Sequence, residues 1–383
     1  MQTGGRQRLG MLLRCMARTD EVDFAAGLAV PEAGAESYEV PDWLQELGRW
    51  RVVASQPRPR WHRFLMALSP RPYLPSWYRI QQLGQLAQEW IVTRQYDIIV
   101  VEHSYAIPAA LRIKRCAITV VLQDLEANRF RSLAMTRRGI RRAAGMLEAF
   151  KMVRLERRCL AYCDGAVTLT RDDERWLRQT GFPGVVATIP NGADLKPFEN
   201  IPPASQGVDV IFCASLGYAP NVFAAKFLAS LWPSVRQQCP EATLLLVGRA
   251  PSADVAALDA PTAGICVIAD VPDVAPYYAR AGVAAVPIFH GGGAALKLME
   301  AFAAGRPVVA TSLATDAYGL GSAPFINRAT SAQQFANEIV RLLQDPKGRE
   351  ATGEQAAAYA RNHTWDAAAT ELRRFLLEVA QSK

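Results

Sequence analysis

Short apolar runs alternate with amphipathic segments along most of the C-terminal half of the chain. Runs of this length predict strands, and apolar residues at helical spacing between them predict helices. The predicted strands are 208–213, 243–247, 265–268, 284–287 and 307–310, and the predicted helices are 221–238, 273–281 and 295–304. Such alternation is typical of βαβ units and a parallel sheet, so the pattern predicts a Rossmann-like domain.

The first half shows a similar rhythm and predicts a second α/β domain. Its predicted strands are 97–102, 118–122, 166–170 and 185–189, and its predicted helices are 141–162 and 174–179. Residues 31–80 show no clear period. A segment rich in proline and glycine, 191–207, reads as the linker between the domains.

The C-terminal segment 365–381 is amphipathic, with its apolar residues on one helix face, and we expect it to return to the first domain. The predicted domains are therefore 1–196 plus 366–383, and 197–365. A chain of 383 residues that is 50% hydrophobic and 21% charged fits two folded domains.

The sequence also indicates a compartment. It has no apolar run near the roughly 20 residues of a spanning helix, and Arg14 and Arg18 interrupt the apolar stretch at the N-terminus. Its seven cysteines include no C-x-x-C pair, so buried thiols in a reducing compartment are the favoured interpretation. We therefore expect a cytoplasmic protein.

The net charge of +7 belongs to the first half of the chain. Residues 1–200 hold 29 Lys and Arg against 21 Asp and Glu, and residues 112–158 hold 13 against 4. This basic segment is either a solvated helix face or a surface that attracts an anionic membrane or a lipid-diphosphate acceptor. Nucleic acid is a poorer fit, because the segment lacks interleaved aromatic residues.

The segment FHGGGAALKLMEAFAAGRPVVAT carries the main chemical signal. Gly291, Gly292 and Gly293, named here the glycine run, lie between a predicted strand and a predicted helix, where backbone amides can approach an anion. Lys297 and Glu300 share one face of that helix, which would place a cation for phosphate beside a carboxylate for sugar hydroxyls. A flexible loop before a structural helix is the alternative.

This segment resembles the donor-site signature of family 4 glycosyltransferases, in the branch that acts in bacterial exopolysaccharide synthesis. Segments that match in the same order are GAVTLTRDDERWL, IPNGADLKPF, SLGYAPN, LLLVGRAP and ADVPDVAPYYARAGVAAVPIF. The resemblance implies a GT-B fold, in which two Rossmann-like, doubly wound domains face a central cleft. It implies a hexosyltransferase that uses a nucleotide diphosphate sugar as co-substrate, with neither cofactor nor metal.

The resemblance also implies roles for individual residues. Glu300 would hold the ribose hydroxyls, the glycine run would face the diphosphate and the donor sugar, and Lys297 would offset phosphate charge. Gly248 and Arg249, at the end of a predicted strand, would lie beside the nucleotide. For Arg249, a solvated strand-end charge is the alternative.

The sequence departs from the family pattern at several positions. Gly292 stands where many members carry the first of two glutamates, and Pro220 and Asn221 stand where many carry the Arg and Lys that grip the diphosphate. Ala214 and Ala269 occupy positions that are commonly glycine. These departures leave the identity of the donor open.

In the first half, polar residues follow two predicted strands. His103 could contact the donor sugar or the acceptor, or be structural; Asp124 and Glu126 could contact the acceptor or cap a helix. The family generally retains configuration, so the leaving diphosphate can itself accept the acceptor's proton. An inverting reaction would need a base, for which His103 and Asp124 are the candidates.

The N-terminus predicts an incomplete domain. Gly4, Gly5 and Arg6 resemble the family's loop after the first strand, and the next apolar segment reads as the following helix, so that strand is absent. We expect the true start codon to lie upstream, and this loop to contribute to the acceptor or phosphate side of the cleft.

We therefore predict transfer of a sugar to a glycan or polyprenyl-linked acceptor in cell-surface polysaccharide synthesis, with peripheral contact to the inner membrane and no nucleic acid partner. A non-catalytic relative that binds nucleotide sugar or a partner enzyme, and a nucleotide-sugar epimerase, are the alternatives. A dinucleotide-dependent oxidoreductase is disfavoured, because no G-x-G-x-x-G follows an early strand.

Overall fold

A computed structural model describes residues 4–29, 42–55, 66, 69–111, 113, 115–123, 125–135, 138–289, 294–321 and 323–383. The described chain forms two compact units. The N-terminal unit is Leu9–Ile189 with Ala369–Lys383, and the C-terminal unit is Pro190–Ala368 with the residues up to Arg8.

These boundaries differ from the predicted ones after residues 196 and 365, and the residues up to Arg8 fall in the opposite unit from the one predicted. The physical reason is a contact, since the Arg8 guanidinium donates to the carbonyl oxygen of Pro190 at 3.0 Å.

The N-terminal unit is built around two parallel sheets. Its strands are β1 (Phe24–Ala29), β2 (Trp50–Ser55), β3 (Ile98–Glu102), β4 (Ala117–Leu122), β5 (Gly165–Thr168) and β6 (Val185–Thr188). Its helices are α1 (Gly4–Met16), which starts in the C-terminal unit, α2 (Tyr73–Trp77), α3 (Ile80–Thr93), α4 (Glu126–Met135), α5 (Gly139–Leu160) and α6 (Arg171–Gln179). Strand β4 is buried along its whole length, as a central parallel strand covered on both faces must be.

The two sheets of the N-terminal unit differ in the number of strands that they contain. Strands β3, β4, β5 and β6 form one sheet in chain order, whereas β1 and β2 pair only with each other among the described residues. The position of the start codon stays a prediction.

The C-terminal unit holds a six-stranded parallel sheet of order β12-β11-β10-β7-β8-β9. The strands are β7 (Asp209–Ser215), β8 (Leu244–Arg249), β9 (Ile265–Ala269), β10 (Ala281–Val286), β11 (Val308–Ala310) and β12 (Ile326–Arg328). The helices are α7 (Ala219–Gln238), α8 (Ala253–Ala256), α9 (Ala275–Arg280), α10 (Leu296–Ala303), α11 (Ser312–Asp316), α12 (Ala332–Gln344), α13 (Pro346–Asn362) and α14 (Trp365–Gln381).

The strand order reverses between β7 and β10. From β7 the chain continues outward through β8 and β9, and from β10 it continues in the opposite direction through β11 and β12. The segments that leave these two neighbouring strands therefore diverge and open a crevice at their carboxyl ends, which is where doubly wound sheets bind ligands.

The C-terminal helix α14 returns to the N-terminal unit from Ala369 onward, as predicted. Lys383 donates to the carbonyl oxygen of Cys116 at 2.9 Å, close to the start of β4. A Cβ on Gly165 would lie 2.7 Å from a Val379 methyl group, so helix and sheet approach closely because position 165 is glycine.

Candidate functional site

A hydrogen bond spans the switch point of the C-terminal sheet. Asn221 lies in the first turn of α7, which follows β7, and Lys297 lies in the first turn of α10, which follows β10. The Lys297 ammonium donates to Asn221 Oδ1 at 2.6 Å. The Asn221 amide in turn donates to the carbonyl oxygen of Ser215, the last residue of β7, at 2.9 Å. One cation is thereby held at the carboxyl ends of both central strands.

The environment of Lys297 weakens its hold on its proton. Burial lowers the pKa of its ammonium to about 8, although the nearby groups of Cys213 and Glu300 oppose this shift. The ammonium also lies 5.0 Å from the centroid of the Phe212 ring, within cation–π range. A buried ammonium of this kind gains most from an anionic ligand that compensates for its lost hydration.

Glu300 lies one turn beyond Lys297 on α10, as predicted from their spacing. Burial raises the pKa of its carboxyl group, while a hydrogen bond from the Gln7 side chain and the charge of Lys297 act in the opposite direction. The carboxylate and the ammonium therefore belong to one partly buried cluster in the C-terminal unit, to which the first turn of α1 also contributes.

Gly4, Gly5 and Arg6 form the first turn of α1 and not the predicted loop. A Cβ added to Gly4 would meet Leu296 at 3.4 Å, an ordinary contact, so the packing there does not require glycine. The side chain from this turn that reaches the cluster is that of Gln7, which the sequence had not indicated.

The glycine run itself lies outside the described residues, but the chain on either side of it is anchored. Before it, the Ile288 amide donates to Thr311 Oγ1 at 3.0 Å, and the same hydroxyl donates to the Ile288 carbonyl at 2.5 Å. After it, Asn191 Nδ2 donates to the Ala294 carbonyl at 2.6 Å, and fully buried Arg8 donates to Asn191 Oδ1 at 3.0 Å. The described residues on both sides of the glycine run are therefore held by buried polar side chains.

Gly248 and Arg249 end β8, next to β7 in the sheet. A Cβ on Gly248 would lie 1.6 Å from the Ala214 carbonyl oxygen, so this glycine has a structural reason that is independent of any ligand. The Arg249 guanidinium is half-exposed. It donates no side-chain hydrogen bond to another part of the described chain, so it can take part in anion binding.

In the N-terminal unit, His103 directly follows β3 and has a positive backbone φ of 69°, with ψ of 141°. This region is rare for residues other than glycine, and such strain clusters at functional sites. Its imidazole Nδ1 lies 3.4 Å from Glu126 Oε1, and its ring stacks on Tyr105 with centroids 5.1 Å apart. The imidazole is therefore held from two sides at the end of a parallel strand.

Glu126 begins α4 and is buried, and a second buried carboxylate, Glu156 from α5, lies near it. Glu156 Oε1 accepts from the Ser104 hydroxyl at 2.9 Å. Burial raises the pKa of Glu156 to about 7, with the charge of Glu126 adding to the shift. Glu102 accepts from Gln123 Nε2 at 2.8 Å, which joins the ends of β3 and β4. Asp124 lies outside the described residues.

The structure thus forms two clusters, one in each unit. The first joins Lys297, Glu300, Asn221 and Gln7, and the second joins His103, Glu126 and Glu156. Asn221, Gln7 and Glu156 were not predicted as site residues. The sequence did single out Asn221, because Pro220 and Asn221 stand where a phosphate-binding cation was expected. Its contact with Lys297 could be recognised only in the structure.

Two family models match the chain. The model described as Glycosyltransferase Family 4 matches residues 5–197, and the one described as Glycosyl transferases group 1 matches residues 207–345. The chain belongs to glycosyltransferase family 4. The predicted enzyme class, a glycosyltransferase, is confirmed by these matches.

The chain is also similar to a sequence relative and to solved structures. D-inositol 3-phosphate glycosyltransferase from Corynebacterium aurimucosum is 36% identical over 97 residues, a match that spans 25% of this chain and 23% of that relative. Sucrose-phosphate synthase from Thermosynechococcus elongatus superposes with a TM-score of 0.69 at 17% identity, covering 99% of this chain and 93% of that one. Anabaena HepE in complex with UDP-glucose gives 0.67 at 16% identity, covering 100% and 97%.

These likenesses confirm the predicted fold class of two Rossmann-like domains of the GT-B type. Among the described residues, no helix is long and apolar enough to cross a membrane, and no group of three His, Cys, Asp or Glu side chains could hold a metal ion. The absence of a metal requirement and of a cofactor stays a prediction.

Proposed function

We propose that this glycosyltransferase moves a hexosyl group from a nucleotide diphosphate sugar to a glycan or polyprenyl-linked acceptor in cell-surface polysaccharide synthesis of the exopolysaccharide type. The observation that carries the proposal is the hydrogen bond from Lys297 to Asn221 across the switch point, with Glu300 one turn away. A partly buried cation and a partly buried carboxylate at this spacing match the two ends of a nucleotide diphosphate.

The two charges have separate tasks. The Lys297 ammonium offsets the charge of the diphosphate, and it gains more from doing so at a buried position than it would in water. The Glu300 carboxylate accepts hydrogen bonds from two vicinal ribose hydroxyls, and Arg249 at the end of β8 adds a second cation. HepE is described in complex with UDP-glucose, which makes UDP-sugars the first donors to test.

The reaction that fits these residues retains configuration at the anomeric carbon. The bond from that carbon to the diphosphate oxygen breaks, the acceptor oxygen bonds to the same face, and its proton passes to the leaving diphosphate. The chain then has to stabilise negative charge and orient two substrates. In this proposal the His103 imidazole, positioned by Glu126, contacts the sugar or the acceptor.

An acceptor carried on a polyprenyl lipid would be met at the cytoplasmic face of the inner membrane. The basic surplus of the first half supports peripheral contact there, because anionic lipids attract Lys and Arg. No nucleic acid partner is proposed.

The test measures release of nucleoside diphosphate from UDP-, GDP- and dTDP-sugars by the wild type, by Glu300→Ala and by the exposed-surface control Glu354→Ala. We expect one donor class to be turned over, with loss of at least tenfold in Glu300→Ala and no change in the control. Unchanged turnover in Glu300→Ala would refute the donor site. A thermal shift with a donor, but no release with any acceptor extract, would favour the non-catalytic alternative.

A further inference from the structure

Helix α5 exposes large apolar side chains on the side that faces solvent. Ile140 is 89% exposed, Phe150 is 58% exposed and Leu147 is 44% exposed. A surface helix of a soluble protein normally places polar residues on this side and keeps its apolar residues for the core. Helix α5 does bury an apolar stripe that includes Met152 and Leu160, so its outward apolar residues are additional to those that the fold needs.

Cations lie on the same side. At 3.6 residues per turn, Ile140, Leu147, Phe150, Arg154, Arg157 and Arg158 fall within an arc of roughly 100° around the helix axis. All six are exposed, and we name them the basic–apolar face. The Arg154 guanidinium lies 5.9 Å from the centroid of the Phe150 ring, so charge and hydrocarbon are interleaved.

The acidic residues of α5 are engaged elsewhere. Glu156 is fully buried and accepts from Ser104. Glu148 accepts from the Tyr73 amide and lies 3.6 Å from the ammonium of Lys151. The basic–apolar face therefore presents three positive charges with no carboxylate from its own helix among them.

We propose that the basic–apolar face of α5 docks on the surface of an anionic lipid bilayer. These arginines form no ion pair with an acidic side chain of the described residues, so they can bind phospholipid headgroups, and Phe150, Leu147 and Ile140 can enter the boundary between headgroups and acyl chains. The helix lies flat, since its opposite side is packed in the N-terminal unit. This inference rests on the proposed function in one respect, since the bilayer is the place where a lipid-linked acceptor would be met.

The test is sedimentation of the full-length protein with vesicles of phosphatidylcholine alone or with about a third of phosphatidylglycerol. We expect the wild type to sediment with the anionic vesicles and to be released by salt, which screens surface charges. At about fivefold in partitioning per arginine, the triple variant Arg154→Gln, Arg157→Gln, Arg158→Gln should bind on the order of 100-fold more weakly. The double variant Leu147→Gln, Phe150→Gln should also bind anionic vesicles more weakly. The contribution to binding that it loses is apolar, so it should depend less on added salt.

Matched controls remove the same number of exposed groups from other surfaces. These are Arg171→Gln, Lys347→Gln, Arg361→Gln for charge, and Val92→Gln with Leu313→Gln for apolar area. Both should bind vesicles like the wild type. Equal binding by the α5 triple variant and its control, or equal binding to neutral and anionic vesicles, would overturn the proposal. No vesicle binding by the wild type would also overturn it and would leave this face to a protein partner.

Donor-dependent thermal shift is measured on every variant. Vesicle binding that persists without any donor shift would count against the proposed function and not against the membrane face. A normal donor shift without vesicle binding would count against the membrane face and not against the proposed function.

Discussion

Donor binding should weaken above pH 8, because Lys297 starts from an unusually low affinity for its proton. Burial places the pKa of its ammonium at about 8 in the ligand-free protein, against an ordinary 10.5. A diphosphate in contact with the ammonium favours the charged form and raises that pKa again. Binding above pH 8 must therefore be accompanied by proton uptake.

The size of the effect follows from the protonated fraction. At pH 7 about nine-tenths of Lys297 is charged, whereas at pH 9 about one-tenth is, so affinity should fall about tenfold between these two values. The decline approaches tenfold per pH unit at higher pH, until the pKa of the complex is reached.

The assay is isothermal titration calorimetry with the donor that is turned over, repeated at pH 8.5 in buffers of different ionisation enthalpy to count protons taken up. Lys297→Arg is the matched variant, because guanidinium stays charged over this range and should flatten the profile. Any titration of the nucleotide base affects both proteins equally. A flat profile for the wild type, or the same slope in Lys297→Arg, would refute this account of Lys297.

Three further predictions concern other parts of the molecule. Burial raises the pKa of Glu156 to about 7, above its ordinary value. The contribution of this carboxyl group to the free energy of unfolding is therefore greatest at low pH and is lost as the pH rises through 7. Measured by urea denaturation, the free energy of unfolding of Glu156→Gln relative to the wild type should increase by roughly 2 to 3 kcal/mol from pH 5 to pH 8. A difference that does not change with pH would contradict this. Gly248→Ala should fail to accumulate as folded protein, whereas Gly4→Ala should change the free energy of unfolding by no more than about 0.5 kcal/mol. Equal soluble yields of the two variants would show that the close approach of Gly248 to the Ala214 carbonyl does not prevent folding with a side chain at position 248. Glu126→Gln should lower the transfer rate about tenfold, through loss of the charge that positions His103. An unchanged transfer rate would contradict this positioning role.

The sequence predicted the parallel strands β3 to β11 from their apolar runs, but it did not predict β1, β2 or β12, which are also parallel strands. Strand β10 and helix α14 lie where the pattern placed them, within a few residues. The same reasoning failed for Gly4, whose glycine neighbours indicated a loop. Tertiary contacts of Gln7 and Arg8 in the C-terminal unit hold that segment in the first turn of a helix, and intrinsic propensity does not contain such contacts.

The candidate site was predictable in part. Lys297 and Glu300 share a helix face, which periodicity alone indicates. Asn221 lies 76 positions before Lys297, and the two meet only because β7 and β10 are neighbours in the sheet. A strand order that reverses in mid-sheet cannot be read from local pattern, so a residue whose role depends on it was found only in the structure.

The most direct test of the donor site is the affinity for UDP-glucose of the wild type and of Glu300→Ala, measured by calorimetry at pH 7. Hydrogen bonds to a charged group contribute about 1.5 to 3 kcal/mol, so loss of the carboxylate should weaken binding about 10- to 150-fold. Binding of equal strength by the two proteins would contradict the account. If the wild type does not bind UDP-glucose, the same comparison is made with the GDP- or dTDP-sugar that it binds.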